Sequence, residues 1–325
     1  MTRTARTPET DVIEGVYLCS SLDVPDLFGA ALAMHPDLRL YTPDKVPDPS
    51  RIRFALVWRP ADDAFDAYPN IELVQVIAAG VDGVLRNPSL PDHAVVTRVH
   101  DAEQANIMAG FAAWHVVWHH RHMGQYLDAQ KSAIWDRTTI KTLRPPSEVT
   151  VGLLGYGLMG RTIARTVASM GFPVMAATRT PGDSDPGVTR VSCADAVTQV
   201  AAQSDILINI LPLTNDTRDI LNADLFAAMP KGAALIQLGR GSHLVEQDLL
   251  AALETGQIGA ASLDVFRQEP LPSDHPFWTH PRIVITPHEA SVTSPQAVTD
   301  ALVQSIRELD IGTRPTATVD KSTGY

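Results

Sequence analysis

Val151-Gly152-Leu153-Leu154-Gly155-Tyr156-Gly157-Leu158-Met159-Gly160 decides the fold. An apolar run that reads as a buried strand enters G-x-G-x-x-G directly. Arg161–Met170 then places Ile163, Ala164, Val167 and Met170 at helical spacing and stops at Gly171. Strand, glycine turn and helix in that order predict a dinucleotide-binding βαβ unit. Gly155 permits the tight turn, Gly157 lets a pyrophosphate approach the backbone N–H groups, and Gly160 lets helix and strand pack closely. Tyr156, Leu158 and Met159 belong to the same cofactor-contacting turn.

Outward from this stretch, near-continuous apolar runs at Val149–Leu154, Val174–Thr178, Ile206–Leu211, Ala234–Leu238, Ala260–Val265 and Ile283–Thr286 alternate with helical patterns. Such runs are expected where helices cover both faces of a parallel sheet. Ser192-Cys193-Ala194-Asp195 has the spacing of a capping box and predicts a helix to about Gln203; Val245–Leu253 predicts another. Upstream, Val16–Leu18, Phe54–Trp58, Leu73–Ile77 and Val95–Val96 outline a second, smaller open α/β domain. Asp101-Ala102-Glu103-Gln104 resembles a capping box opening a long helix to about His122, along which Ile107, Met108, Phe111, Trp114, His115 and Trp118 recur every three or four residues. A Pro-containing hinge at Leu143–Glu148 precedes the first strong strand. Ser294–Leu309 reads as a further amphipathic helix, and Gly312–Tyr325 as a polar tail.

Composition narrows the function. The 325 residues are about twice the usual domain size. With 26 Lys and Arg against 37 Asp and Glu, the formal net charge is −11. That field opposes sequence-independent nucleic-acid binding and an anionic membrane surface, so neither partner is expected. Cys19 and Cys193 form no metal-type pair and no disulfide scaffold, which fits a reducing cytoplasm. The longest apolar stretch, Met108–Trp118, is far short of the roughly 20 residues a spanning helix needs. Met1–Asp11 lacks an apolar core, so no signal peptide is expected. His115 and His119 have the i, i+4 spacing of two metal ligands, but they alternate with tryptophans and lack a matching Cys or H-E-x-x-H frame; no metal is expected.

The cofactor type is read at the end of the second strand. An acid there accepts the ribose hydroxyls, whereas Ala177-Thr178-Arg179-Thr180 offers a guanidinium that can pair two phosphate oxygens, with Thr180 as an extra donor. The first acid is Asp183. This favours NADP (NADPH) as the preferred cofactor, with NAD as the alternative.

Leu238-Gly239-Arg240-Gly241, Leu263-Asp264-Val265-Phe266-Arg267-Gln268-Glu269-Pro270 and Thr286-Pro287-His288, in order behind the glycine turn, resemble the D-isomer-specific 2-hydroxyacid dehydrogenases, most closely their glyoxylate/hydroxypyruvate reductase branch. The likeness runs from about Phe54 to Leu309. It implies two open parallel-sheet domains, with a Rossmann dinucleotide-binding domain at 101–290 inserted into a flavodoxin-like substrate domain of 1–100 plus 291–325. It also implies catalytic roles. Arg240 would hold the carboxylate of a 2-oxo acid and polarise its ketone. His288 would protonate the carbonyl oxygen, and Glu269 would orient that imidazole and favour its charged form. Leu211, Pro212, Thr214, Leu238, Gly239, Asp264 and His288 match positions along the cofactor. Ala79, Gly80 and Val81 match a loop whose N–H groups receive the substrate carboxylate, Trp58 matches a pocket position, and Trp135 matches an arm reaching a partner subunit, so a homodimer is expected. Two positions depart from the pattern: Gly110 stands where relatives carry a glutamate, and Glu289 where they carry a small apolar residue.

The sequence thus predicts an NADPH-dependent reductase of small 2-oxo acids such as glyoxylate or hydroxypyruvate. A dehydrogenase for bulkier 2-oxo acids and a non-catalytic NAD(P)-sensing protein on the same scaffold are the alternatives.

Overall fold

The computed structural model describes residues 12–19 and 21–324. In chain order the elements are β1 (Ile13–Cys19), α1 (Val24–Leu32), β2 (Leu38–Tyr41), β3 (Ile52–Trp58), β4 (Leu73–Val76), α2 (Asp82–Leu85) and β5 (Val95–Thr97), then α3 (Ala102–His120) and α4 (Met123–Lys131). β6 (Val151–Leu154), α5 (Leu158–Ser169), β7 (Val174–Ala177), β8 (Val188–Val191), α6 (Ala196–Ala201), β9 (Ile206–Asn209) and α7 (Ala223–Ala228) follow. β10 (Ala233–Gln237), α8 (Glu246–Glu254), β11 (Ile258–Leu263), β12 (Ile283–Ile285) and α9 (Pro295–Asp310) complete the chain. Two compact units result, one running to Asp101 and resuming at Thr293, the other comprising Ala102–Val292.

The first unit holds a parallel five-stranded sheet in the order β2-β1-β3-β4-β5, the flavodoxin-like order. The apolar side of α9, Val298, Leu302 and Ile306, packs with Phe28 and Leu32 of α1 on one face of it. The segment after α9 is not the polar tail its composition predicts. Thr318 bridges Thr97, Val319 is buried and donates to the Val96 carbonyl, and the Lys321 ammonium donates to the carbonyls of Pro91 and Asp92.

The second unit holds a seven-stranded parallel sheet, β12-β11-β10-β9-β6-β7-β8. Strand order reverses between β9 and β6. Alternate residues of the central strands feed two separate cores: Leu153, Ile208 and Ile236 face α3 and α5, whereas Leu154, Leu207 and Leu235 face α7 and α8. Burial on both faces is why these strands lack polar alternation. The edge strands β2 and β8 are short and half exposed, and the sequence gives them no such signature. The capping box expected at Ser192 does not form. α6 starts at Ala196 behind Asp195, whose side chain makes no cap bond, and the Ser192 hydroxyl donates to the Arg179 carbonyl instead.

Helix α3 turns small residues inward. Ala105, Ala109, Ala112, Ala113 and Val116 are buried against α5 and the sheet, which lets the helices approach closely, while Ile107, Trp114 and Val117 are exposed. On the buried face, His115 Nδ1 and His119 Nε2 each lie 2.8 Å from Ser262 Oγ on β11. A hydroxyl has one proton, so Ser262 donates to one ring and accepts from the other. Burial pushes His115 down to about 4 and His119 down to about 3, the latter helped by its neighbours His115 and His122.

Both histidines therefore take up protons in the unfolded chain near pH 6.5 and in the fold only near pH 3–4. Their neutral state stabilises the fold fully above about pH 6.5, and that stability is lost as pH falls from there, at up to about 1.4 kcal/mol per pH unit for each histidine. Urea-unfolding midpoints measured from pH 7.5 to 4.5 should fall across this window. A flat profile would mean that the pair takes up protons as readily in the fold as in the unfolded chain.

Candidate active site

The glycine turn is built as its spacing demands. Gly155 has φ +103°, and a Cβ there would lie 3.0 Å from the Ile210 carbonyl oxygen at the end of β9. A Cβ on Gly160 would lie 2.0 Å from the Gly155 carbonyl oxygen, so α5 touches the turn backbone to backbone. Gly157 is the opposite case: nothing lies within 4 Å of the place its Cβ would take. Gly157 is also the N-cap of α5, and no side chain caps that helix. Open space in front of uncapped N–H groups at Leu158, Met159 and Gly160 is what a pyrophosphate requires.

At the end of β7 the chain turns at Thr178, which is half-buried, and at Arg179 and Thr180, which are exposed. The Thr178 N–H donates to the Val191 carbonyl and its hydroxyl to that of Thr180. Asp183 is exposed, whereas Asp185 is buried and receives Tyr156, Arg161 and Arg165.

Arg240 sits on a turn with no spare volume. A Cβ on Gly239 would meet His243 and Asn209, and one on Gly241 would fall 1.9 Å from the Phe266 carbonyl carbon. Beneath it lies a buried polar network that sequence reasoning missed. His243 Nδ1 accepts from the Arg240 N–H at 3.1 Å and from Asn209 Nδ2 at 3.0 Å, so its proton is on Nε2, which donates to the Pro212 carbonyl at 3.3 Å. Gln237 Nε2 donates to the Arg240 carbonyl at 2.9 Å, and Gln237 Oε1 accepts from Asn209 and from the Gly239 N–H. The Arg240 guanidinium donates to the Gly239 carbonyl at 2.8 Å. The network ties Pro212 to the arginine turn, and Thr217 Oγ1 ties Pro212 to Thr214. Leu211 donates its N–H to Asn209, and Leu238 is buried in the α3–α5 core. Only alternating strand-end polar residues, Asn209 and Gln237 inside otherwise apolar runs, signal this network in the sequence.

His288 and Glu269 meet, with Nδ1 and Oε2 2.9 Å apart and both side chains partly buried. Glu269 Oε1 accepts from the Phe266 N–H at 3.1 Å, which fixes the carboxylate. His288 adopts φ +60°, unusual for a residue with a Cβ. Asp264 holds it there. Its buried carboxylate accepts from Thr286 Oγ1 and the N–H groups of Glu289 and Ala290 at 2.7–3.1 Å, and its carbonyl accepts from the His288 N–H at 2.8 Å. The Glu289 side chain is exposed. With Nδ1 on a carboxylate, the imidazole can exchange a proton through Nε2.

In the first unit, Trp58 ends β3 partly buried, with the Arg59 guanidinium 5.6 Å from its ring centroid. Ala79 and Gly80 are half-buried after β4, and Val81 is buried at the start of α2. In the second, Trp135 lies in the loop after α4 and is 92% exposed. Among the described residues no helix is long and apolar enough to cross a membrane.

The sequence pattern of the D-isomer specific 2-hydroxyacid dehydrogenase NAD binding domain matches residues 113–290. The glyoxylate/hydroxypyruvate reductase A of Serratia proteamaculans (strain 568) is 39% identical over 279 residues, spanning 84% of this chain and 87% of that protein; its namesake from Yersinia enterocolitica is 38% identical over the same extent. A D-isomer specific 2-hydroxyacid dehydrogenase of Xanthobacter autotrophicus Py2, solved with NADPH and MES, superposes with a TM-score of 0.88 at 34% identity, covering 96% of this chain and 99% of its own. The NADPH-dependent glyoxylate/hydroxypyruvate reductase of Sinorhizobium meliloti, solved with NADP and sulfate, gives 0.88 at 32% identity and the same coverage.

The two glycines at 157 and 160 should separate under mutation. Gly157→Ala puts a methyl group into open space and should leave stability within about 0.5 kcal/mol, while raising KM for NADPH and NADH alike by about tenfold or more. Gly160→Ala drives a methyl into a carbonyl oxygen and should cost about 3 kcal/mol. Thermal unfolding and steady-state kinetics check both; a Gly157→Ala enzyme with unchanged KM would remove the pyrophosphate from this turn.

Proposed function

The chain belongs to the D-isomer specific 2-hydroxyacid dehydrogenase family, and from that premise we propose that it reduces small 2-oxo acids, glyoxylate and hydroxypyruvate foremost, with NADPH. The observation that carries the reading is the Glu269–His288 pair at 2.9 Å, on a loop pinned by Asp264, in the same unit as an arginine turn braced from beneath. Relatives named for this reaction and neighbours solved with NADPH or NADP support the choice of substrate and cofactor.

Each group has one task. Arg240 binds the substrate carboxylate through its planar fork and draws electron density from the adjacent ketone. His288, its Nδ1–H held by Glu269, gives the Nε2 proton to the carbonyl oxygen, and the negative carboxylate stabilises the imidazolium that this requires. When bound, the reduced nicotinamide supplies the hydride. The turn at Thr178–Thr180 takes the 2′-phosphate through Arg179. Leu127, Ile134, Trp135 and Ile140, exposed on α4 and the segment after it, together with Ile107 and Trp114 of α3, form the contact of a homodimer.

Four measurements test this. Glu269→Gln keeps the shape and removes the charge that supports the imidazolium, so kcat/KM for glyoxylate should fall by about tenfold or more; His288→Ala should lose roughly 100-fold in rate. A Gln variant with the wild-type kcat/KM would reject Glu269 as the group that supports the acid. Arg179→Asp should raise KM for NADPH by about tenfold, roughly 1.4 kcal/mol, and that for NADH much less; equal losses would assign the arginine to the fold. Sedimentation at micromolar concentration should report a dimer, and an active monomer would reject the interface. Cofactor binding without turnover on a panel of 2-oxo acids would favour the sensor over the enzyme.

A further inference from the structure

The segment from Thr178 to Gly187, between β7 and β8, carries no regular structure, yet it must hold Arg179 in one place for that residue to select a phosphate. Two side chains outside any conventional motif hold it. Asp185 is buried on the inner side of the segment. Its Oδ2 accepts from the Tyr156 hydroxyl and from Arg161 Nε at 2.7 Å, and its Oδ1 from Arg161 Nη2 at 3.1 Å and from Arg165 Nε and Nη2 at 2.9 and 2.7 Å. Those donors, Arg161 first, hold the Asp185 carboxyl well below the usual carboxylate range, so it is charged throughout the working pH.

Arg190, on edge strand β8, grips the other side. Its Nη2 donates to the Thr180 carbonyl at 2.8 Å and its Nη1 to that of Asp183 at 3.0 Å, while Cζ lies 5.3 Å from the Tyr156 ring centroid. Gly182 leaves room for the guanidinium: a Cβ there would fall 2.3 Å from Nη1. The Ser192 hydroxyl takes the Arg179 carbonyl at 3.3 Å. A turn that binds an anion has to direct its carbonyl oxygens elsewhere, and three of them are here engaged by the protein's own donors.

We infer that Asp185 and Arg190, meeting at Tyr156, form a clamp that fixes the Thr178–Thr180 turn and so acts as the positioning element for NADPH over NADH. Tyr156 lies inside the glycine turn, so one hydroxyl and one ring link the pyrophosphate site to the 2′-phosphate site. The inference rests on the assignment of the 2′-phosphate to Arg179.

The test combines kinetics with binding of 2′,5′-ADP, which carries the 2′-phosphate and lacks the nicotinamide. Arg190→Lys keeps the charge and loses the two-pronged grip. It should weaken 2′,5′-ADP, read by calorimetry, by about fivefold to tenfold while 5′-ADP changes by less than about twofold, and KM should rise for NADPH more than for NADH. Tyr156→Phe, which removes a single hydroxyl and leaves the ring, should shift the same ratio in the same direction by about threefold. Equal weakening of both nucleotides, or a wild-type ratio in Arg190→Lys, overturns the clamp: the first makes Arg190 a general stabiliser, the second a mere source of charge. Arg179→Asp, run alongside, separates the two levels. If it abolishes the discrimination while both clamp variants retain it, the clamp fails and the cofactor assignment stands; if it changes nothing, the assignment itself falls.

Discussion

The constraint on which the second unit's site depends is the passage of Gly155 beside Ile210, where β6 and β9 end side by side and the chain leaves them in opposite directions. A Cβ at 155 would sit 3.0 Å from one carbonyl oxygen, and a Cβ at 160 would sit 2.0 Å from another. With no side chain at either point, α5 starts directly above the end of β6, and its first N–H groups face the gap at which strand order reverses. Crevices at such reversals are where open α/β sheets take their ligands. The ends of β7, β10, β11 and β12 inherit their positions from this approach, because each is in register with a strand that it fixes.

A second constraint is electrostatic satisfaction at the strand ends. Asn209, Gln237 and Asp264 are buried polar groups at or just beyond the last residues of β9, β10 and β11, each a liability unless its partners are complete. Their partners are the segments that carry Arg240 and His288. Asn209 and Gln237 hold the Gly239–Arg240 backbone and the His243 ring, and Asp264 holds Thr286, Glu289 and Ala290. Left-handed backbone at His288 costs about 1–2 kcal/mol, which the loop bonds around Asp264 offset. Folding and the placing of His288 thus depend on the same set of hydrogen bonds.

The legible part of the fold was the part buried on both faces. β6, β9 and β10 announce themselves because no polar residue interrupts them until the last position. β8 reads Val188-Thr189-Arg190-Val191, with one fully buried residue, and nothing local distinguishes it from a loop. Ser192 shows how a local rule loses to tertiary context: its hydroxyl finds the Arg179 carbonyl before it can cap α6. Arg179, Arg240, Glu269 and His288 could be picked out because they sit in short motifs directly after strands. Asp185, Arg190 and His243 could not, since their partners lie on other elements and the contacts exist only once the sheet has formed. The apolar repeat of α3 misleads for a related reason. Ile107, Trp114 and Val117 face outward, most of its alanines with His115 and His119 face inward, and Met108 and Phe111 lie between, so periodicity identified the helix while leaving open which side is core.

The charge balance raises a question that Asp185 answers. A chain of net charge −11 binding an anionic cofactor needs local cations, yet α5 and β8 together bring Arg161, Arg165 and Arg190 close to the turn that carries Arg179. Four competing guanidinium groups would attract phosphate without selecting where it sits. One buried carboxylate takes the Nε and Nη2 donors of both Arg161 and Arg165, and the Thr180 and Asp183 carbonyls take the two terminal nitrogens of Arg190. The field remains positive, but those three guanidinium groups are bound to the protein's own oxygens, which on the proposed assignment of the 2′-phosphate to Arg179 restrains them from competing for it. Specificity on this view comes from engaging the neighbouring arginines as much as from supplying one, a division of labour between attraction and orientation that a count of basic residues cannot reveal.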